Sequence, residues 1–146
     1  MAIQLIVASP EPGFREFVTE QLAHIPNMEL VAEHEEIGAN LHIRILHDRE
    51  AFPQAAVLLD ISTDTDQGLA TLESLMANAP GMYVILSALE ASGEFLLRLM
   101  RLGSSDFLVQ PLKRAEFHDS MARLEQYVDR IHQQQRQMGK MYTFLG

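Results

Sequence analysis

No cysteine and no tryptophan occur among the 146 residues. Without thiols the chain can form no disulfide framework, no thiolate metal site and no cysteine nucleophile, and it suits a reducing compartment. Basic residues are scarce: 11 Lys and Arg stand against 20 Asp and Glu, a net charge of −9. Duplex phosphates need a basic face, so no nucleic-acid partner is expected. Long apolar runs are lacking as well. None approaches the about 18 residues that a membrane span requires, and no direct membrane insertion is expected. The opening Met1-Ala-Ile-Gln-Leu-Ile-Val7 has no basic stretch ahead of its apolar run. That is unlike a secretory signal, so a cytoplasmic location is expected. What is present suits one folded domain: 47% of residues are hydrophobic and 21% charged.

Apolar runs alternate with amphipathic stretches. Ile3–Ala8 is a β-branched-rich run closed by Ser9-Pro10-Glu11-Pro12-Gly13. Phe14, Phe17, Val18 and Leu22 follow at helical spacing, and Met28–Ala32 reads as a second strand. Ile37, Leu41, Ile45 and Leu46 predict a short helix weakened by Gly38. Ala55–Leu59, Met82–Leu86 and Asp106–Val109 read as three more strands. Between them Leu69, Leu72, Leu75 and Met76 mark one helix and Phe95, Leu96, Leu99 and Met100 another, stopped by Pro80-Gly81 and by Gly103. Strands too apolar to have a wet face predict a parallel sheet covered on both sides. The expected fold is therefore α/β: three layers around a doubly wound five-stranded parallel sheet in the order 2-1-3-4-5. In such sheets the functional crevice lies beyond the carboxyl ends of the strands, here Ser9–Glu11, Asp60–Asp66, Ser87–Leu89 and Gln110-Pro111.

Asp60 directly follows Leu58-Leu59, Ser87 follows the fourth strand, and Gln110-Pro111 follows the fifth. In these stations and their spacing the chain resembles the receiver domain of two-component response regulators, over roughly residues 2–130. There the stations hold the phosphorylated Asp, a Ser or Thr that follows the phosphoryl group, and a Lys-Pro dipeptide. The resemblance implies the CheY-like, flavodoxin-like fold. It locates the phosphoacceptor pocket at Glu11, Asp60, Ser87 and Gln110, the switch-aromatic position at Phe107, and a cis bond before Pro111. Two ingredients differ from the family. The acidic pair that helps hold a divalent cation reads Ala8-Ser9-Pro10 here, leaving Glu11 nearby, and the lysine is the neutral Gln110. Hard cations take oxygen ligands and neutralise the phosphoryl oxygens during transfer. Loss of two ligand charges and one fixed cation removes most of that stabilisation. The pocket thus reads as vestigial, with no catalytic residue and no metal, Glu11 and Asp60 being the only candidate ligands for one. Asp60 is then a hydrogen-bonding group at a strand end, and Phe107 a buried strand residue. The alternative is a working phosphoacceptor receiver using Asp60, with Glu11 holding the metal.

The last helix is longer than a receiver needs. Phe117, Met121, Leu124, Val128 and Ile131 step by four and three, a seam whose second half, Val128–Met138, is expected to project beyond the sheet. Gly139-Lys140-Met-Tyr-Thr-Phe-Leu-Gly146 then alternates like a first strand. A degenerate receiver, a long helix and such a strand together are similar to the amino-terminal part of the TadZ/CpaE family of Tad (Flp) pilus assembly proteins. In that family the strand leads into a ParA/MinD-like ATPase domain. The expected organisation is a receiver-like domain over 1–130, then helix extension, linker and first strand of a truncated ATPase domain over 131–146. No G-x-x-x-x-G-K-[ST] occurs, so ATP and Mg²⁺ are expected only in a following domain and no cofactor in this one.

The resemblance implies a non-enzymatic interaction module, phosphorylation-independent, serving polar localisation and self-association of the pilus secretion machinery. Its partners would be a second copy, in a homodimer, and other pilus-assembly or polar proteins. In receivers the fourth helix, fifth strand and fifth helix form the usual dimer surface. Here that face would offer Glu94, Arg98, Arg101, Arg114, Arg123, Val128 and Ile131, with Asp106, Glu116, Asp119, Glu125, Asp129 and Arg130 beside them. Six histidines show no metal-ligand spacing. Asp60, Ser62, Asp64 and Asp66 alternate like a calcium loop but lack its sixth-position glycine; Asp66 is expected to cap the next helix.

Overall fold

A computed structural model describes residues 2–90 and 92–145, and of residues 137–145 only the backbone. Strands β1 (Ile3–Ala8), β2 (Met28–His34), β3 (Ala56–Asp60), β4 (Val84–Ala88) and β5 (Asp106–Val109) alternate with helices. These are α1 (Pro12–Leu22), α2 (Leu41–Ala51), α3 (Thr65–Asn78), α4 (Gly93–Leu102) and α5 (Arg114–Leu145). All strands pair parallel, in the order β2-β1-β3-β4-β5, which is the expected topology.

Period-two alternation divides each central strand between two cores. Ile6, Val57, Leu59, Val84 and Leu86 point to one face, where they meet Leu41 and Ile45 of α2, Leu69, Leu72 and Leu75 of α3, and Leu99 of α4. Leu5, Val7, Leu58, Ile85 and Leu108 point to the other, against Phe14, Val18 and Leu22 of α1 and Phe117, Met121 and Leu124 of α5. Both faces are covered, which is why these strands carry no polar stripe.

Local chemistry sets the element ends. Pro12 opens α1 at its first turn, where a missing N–H costs nothing. Asp64, not Asp66, caps α3: its carboxylate accepts from the backbone N–H of Gln67, while Asp66 lies in the first turn. The helix begins two residues earlier than a cap at Asp66 implies, so the capping position moves with it. Ser92 caps α4 by accepting from Phe95 N–H, and Gly103, at φ 106°, closes it in the left-handed region. β4 runs two residues past Leu86, so Ser87 lies within the strand rather than after it.

Along α5, Phe117, Met121 and Leu124 are buried, and Val128 and Ile131 are half-buried. Tyr127, Val128 and Ile131 line a hollow with Arg49, Gln54 and Gly81, so the seam stays against the body further than expected. The helix extension then continues to Leu145, where a linker and a first strand were expected; a helix closes its backbone hydrogen bonds within the segment. Gly146 lies outside the described residues.

Packing of α3 on the end of β3 is tight at Gly68. A Cβ there would lie 2.2 Å from Ile61 Cγ2 and 2.6 Å from Ile61 Cβ, and Ile61 is fully buried. Gly68→Ala should cost about 1–3 kcal/mol in urea unfolding. Gly13→Ala, in the first turn of α1 where a Cβ meets nothing within 4 Å, should be neutral or stabilising by up to about 1 kcal/mol.

Candidate functional site

Parallel register brings the carboxyl ends of β1, β3, β4 and β5 to one edge, with Asp60 directly opposite Ser87. Asp60 is the last residue of β3 and is 0% exposed. A carboxylate so placed must find its donors inside the protein. Ser9 Oγ, just past β1 and equally buried, donates to Asp60 Oδ2 at 2.6 Å. Asp60 Oδ1 accepts from the backbone N–H of Ser62 at 2.9 Å and from Gln110 Nε2 at 2.7 Å. Gln110 Nε2 also donates to Ser87 Oγ at 3.2 Å.

The supporting shell is backbone. Ser9 N–H donates to the His34 carbonyl at 2.9 Å, and Gln110 N–H to the Ala88 carbonyl at 2.8 Å. Ser9 Oγ accepts in turn from Glu11 N–H at 3.1 Å. Each side chain of the cluster is thus fixed by the strand end that carries it. The Gln110-Pro111 bond is cis, as the resemblance implies.

Of the expected pocket residues, Asp60, Ser87 and Gln110 come together. Glu11 does not join them. It is exposed at the start of α1 and lines a shallow hollow with Phe14, Phe17 and Pro111. Ser9 stands in its stead as the hydroxyl partner of Asp60. Only its position at a buried strand end signals this in the sequence, and a hydroxyl carries no charge to draw attention there. Magnesium takes a near-octahedral shell of oxygens and is usually held by carboxylates. Here the single buried carboxylate already binds three donors and the second acid faces solvent, so these residues do not fit that ion. Among the described residues no three His, Asp or Glu side chains gather as a metal site.

Phe107 is half-buried on β5 and meets Phe95 of α4 edge to face, with ring centroids 6.3 Å apart. On the expected dimer face, Arg123 is already engaged. Its Nε donates to Asp106 Oδ2 at 2.9 Å and its Nη2 to Asp106 Oδ1 at 3.2 Å, while Ser120 Oγ donates to Oδ2 at 2.8 Å. The hydrogen bond to Asp106 holds this guanidinium even more firmly protonated than usual. These bonds tie α5 to the start of β5, a structural role that composition alone does not reveal.

Ser9→Ala should cost about 1–3 kcal/mol, because it strips a buried carboxylate oxygen of its donor. Gln110→Met should cost a similar amount. Since both act on one carboxylate, urea unfolding of the double variant should show a coupling of at least about 0.5 kcal/mol.

No family model and no curated protein matches the chain. Solved structures do. A protein described as a CpaE pilus assembly protein from Burkholderia thailandensis is 22% identical with a TM-score of 0.66, the match covering 83% of this chain and 96% of that one. A pilus assembly-related protein from Burkholderia pseudomallei is 24% identical with a TM-score of 0.66, over 83% and 87% of the two chains. The receiver domain of RcsB from Salmonella enterica, in a structure with the phosphomimetic BeF3−, is 15% identical with a TM-score of 0.69, over 86% and 90%. The chain therefore has the receiver fold of the response regulators, and in that fold it resembles the CpaE pilus assembly proteins.

Proposed function

We propose that this chain is a non-catalytic, phosphorylation-independent receiver-like interaction domain, the amino-terminal part of a TadZ/CpaE-like Tad (Flp) pilus assembly ATPase. It self-associates, contacts other pilus-assembly or polar proteins, and helps recruit the pilus secretion machinery to the cell pole from the cytoplasm. ATP and Mg²⁺ belong to the ATPase domain that follows in such proteins.

The observation that carries this reading is the full engagement of Asp60. A phosphoacceptor attacks through a free carboxylate oxygen, beside a cation that neutralises the incoming oxygens. Both oxygens of Asp60 are hydrogen-bonded within the chain, and Gln110 supplies an amide where a fixed positive charge is needed. Neutral donors of this kind satisfy a buried carboxylate but offset little of the charge that develops on a transferring phosphoryl group. The pilus side of the reading is supported by the two Burkholderia neighbours, which share the fold over 83% of this chain. Among the described residues no helix is long and apolar enough to cross a membrane, in keeping with recruitment through proteins.

With Mg²⁺ and acetyl phosphate, intact-mass measurement should show no phosphoryl adduct on the wild-type chain, and beryllofluoride should leave its NMR spectrum unshifted. An adduct mapped to Asp60 would reverse the reading in favour of a working response-regulator receiver. In a thermal melt, Mg²⁺ should leave the wild-type Tm unchanged. It should raise the Tm of Ser9→Asp, where a second carboxylate beside Asp60 creates a repulsion that a divalent ion relieves.

A further inference from the structure

We infer that the hollow at the amino end of the sheet is a binding site for a carboxylate carried on a ring-sized apolar body, with Arg49 as its counter-ion. The site lies at the opposite end of the strands from Asp60, and the inference does not depend on what that pocket does.

The hollow lies between α5 and the segments that lead into β3 and β4. Ala55, Leu124, Val128 and Ile131 supply its apolar wall. The rings of Tyr83 and Tyr127 line it as well, with centroids 4.9 Å apart. Tyr127 Oη donates to the Gly81 carbonyl at 3.3 Å, which fixes its ring. About 150 Å³ is open inside, the size of space that takes one benzene ring.

Arg49, in the last turn of α2, puts a charge against this wall. It is half-buried, its Nη2 donates to the Pro53 carbonyl, and its Nε is buried without a hydrogen-bond partner. No acid answers it: among the described residues no ion pair uses Arg49. Its neighbours Asp48 and Glu50 project elsewhere, Asp48 to His34 at 2.5 Å and Glu50 to His47 at 3.4 Å. Glu125 and Asp129 of α5 line the next hollow, beside Gln4. Residues 137–146 contain no Asp or Glu. Burial pulls the guanidinium below its ordinary pKa, against an opposing pull from Tyr127. Burial also holds the Tyr83 phenol above its ordinary pKa, so it adds no negative charge. Arg15 likewise carries an unpartnered buried Nε, but its guanidinium binds Glu35 at 3.2 Å.

A guanidinium keeps its charge inside a protein, and a cation withdrawn from water without a partner is destabilising. A planar carboxylate matches its fork with two parallel hydrogen bonds. One such charge is what a single arginine neutralises, whereas the apolar wall rejects a small, strongly hydrated ion. A ring that bears one carboxylate satisfies both halves of the lining.

Two-dimensional NMR of the full chain titrated with benzoate should show saturable shifts at Arg49, Tyr127 and Ile131, with a Kd of about 1 mM for a ligand of so few atoms. Benzyl alcohol keeps the ring without the charge and should bind at least about tenfold more weakly. Inorganic phosphate keeps charge without the ring and should leave those signals unmoved. Arg49→Gln should weaken benzoate by at least about tenfold and leave benzyl alcohol unchanged, a thermal melt checking its fold. The comparison of benzoate with benzyl alcohol is made on the wild-type chain, so it decides the matter even if that variant unfolds. A short peptide ending in Phe separates two sources of the carboxylate. Binding with its terminus free but not amidated assigns the site to a chain end, and binding of benzoate without the peptide assigns it to a free acid. Equal binding of benzoate and benzyl alcohol marks an apolar docking face instead and overturns the inference. Shifts that map elsewhere, or no shifts, overturn it too.

Discussion

A buried carboxylate is the constraint around which the sheet's carboxyl edge is arranged. Removing Asp60 from water costs several kcal/mol unless donors replace the lost hydration. The protein supplies them from three places in the chain: a hydroxyl after β1, a backbone amide after β3 and a side-chain amide after β5. Hydrogen bonds to a charged group are each worth about 1.5–3 kcal/mol. Three of them can hold the charge in place and, in doing so, lock three strand ends to one another.

On the proposed reading, a carboxylate in an open, cation-lined mouth is a reactant, whereas one bonded to Ser9, Ser62 and Gln110 serves as a structural knot. The same topology that positions reactive groups in receivers here positions a hydrogen-bond network. On the proposed reading the working surface shifts outward, to the helices that cover the sheet. A receiver scaffold suits this, because its surface helices can carry new contacts while the sheet stays unchanged.

Most of the architecture was legible in the chain. Short apolar runs bounded by turn residues, such as Ile3–Ala8 and Ala55–Leu59, read as strands covered on both faces, and crossover handedness leaves few strand orders, of which 2-1-3-4-5 leads. Boundaries moved where one residue decided them. Asp64 takes the cap that Asp66 was expected to hold, and β4 extends to include Ser87. The alternating tail Met141–Leu145 looks like a strand, but alternation only says which faces differ, and the backbone there is helical. Asp106 and Arg123 have the composition of a solvated or dimer face. They are 17 residues apart, and only folding shows that they bind each other.

Residue types alone determined that the stations carry less charge than the family's: no acidic pair over Ala8-Ser9-Pro10 and the amide Gln110 in place of a lysine. Those are identities, and no fold can alter them. Only the tertiary structure decided what those neutral groups do instead. Ser9 and Gln110 lie 51 and 50 residues from Asp60, and their hydrogen bonds to it exist because parallel pairing aligns three strand ends to within a few ångströms. Charge is a property of the residue, whereas satisfaction of a buried charge depends on distance, and distance between remote residues is set by the sheet.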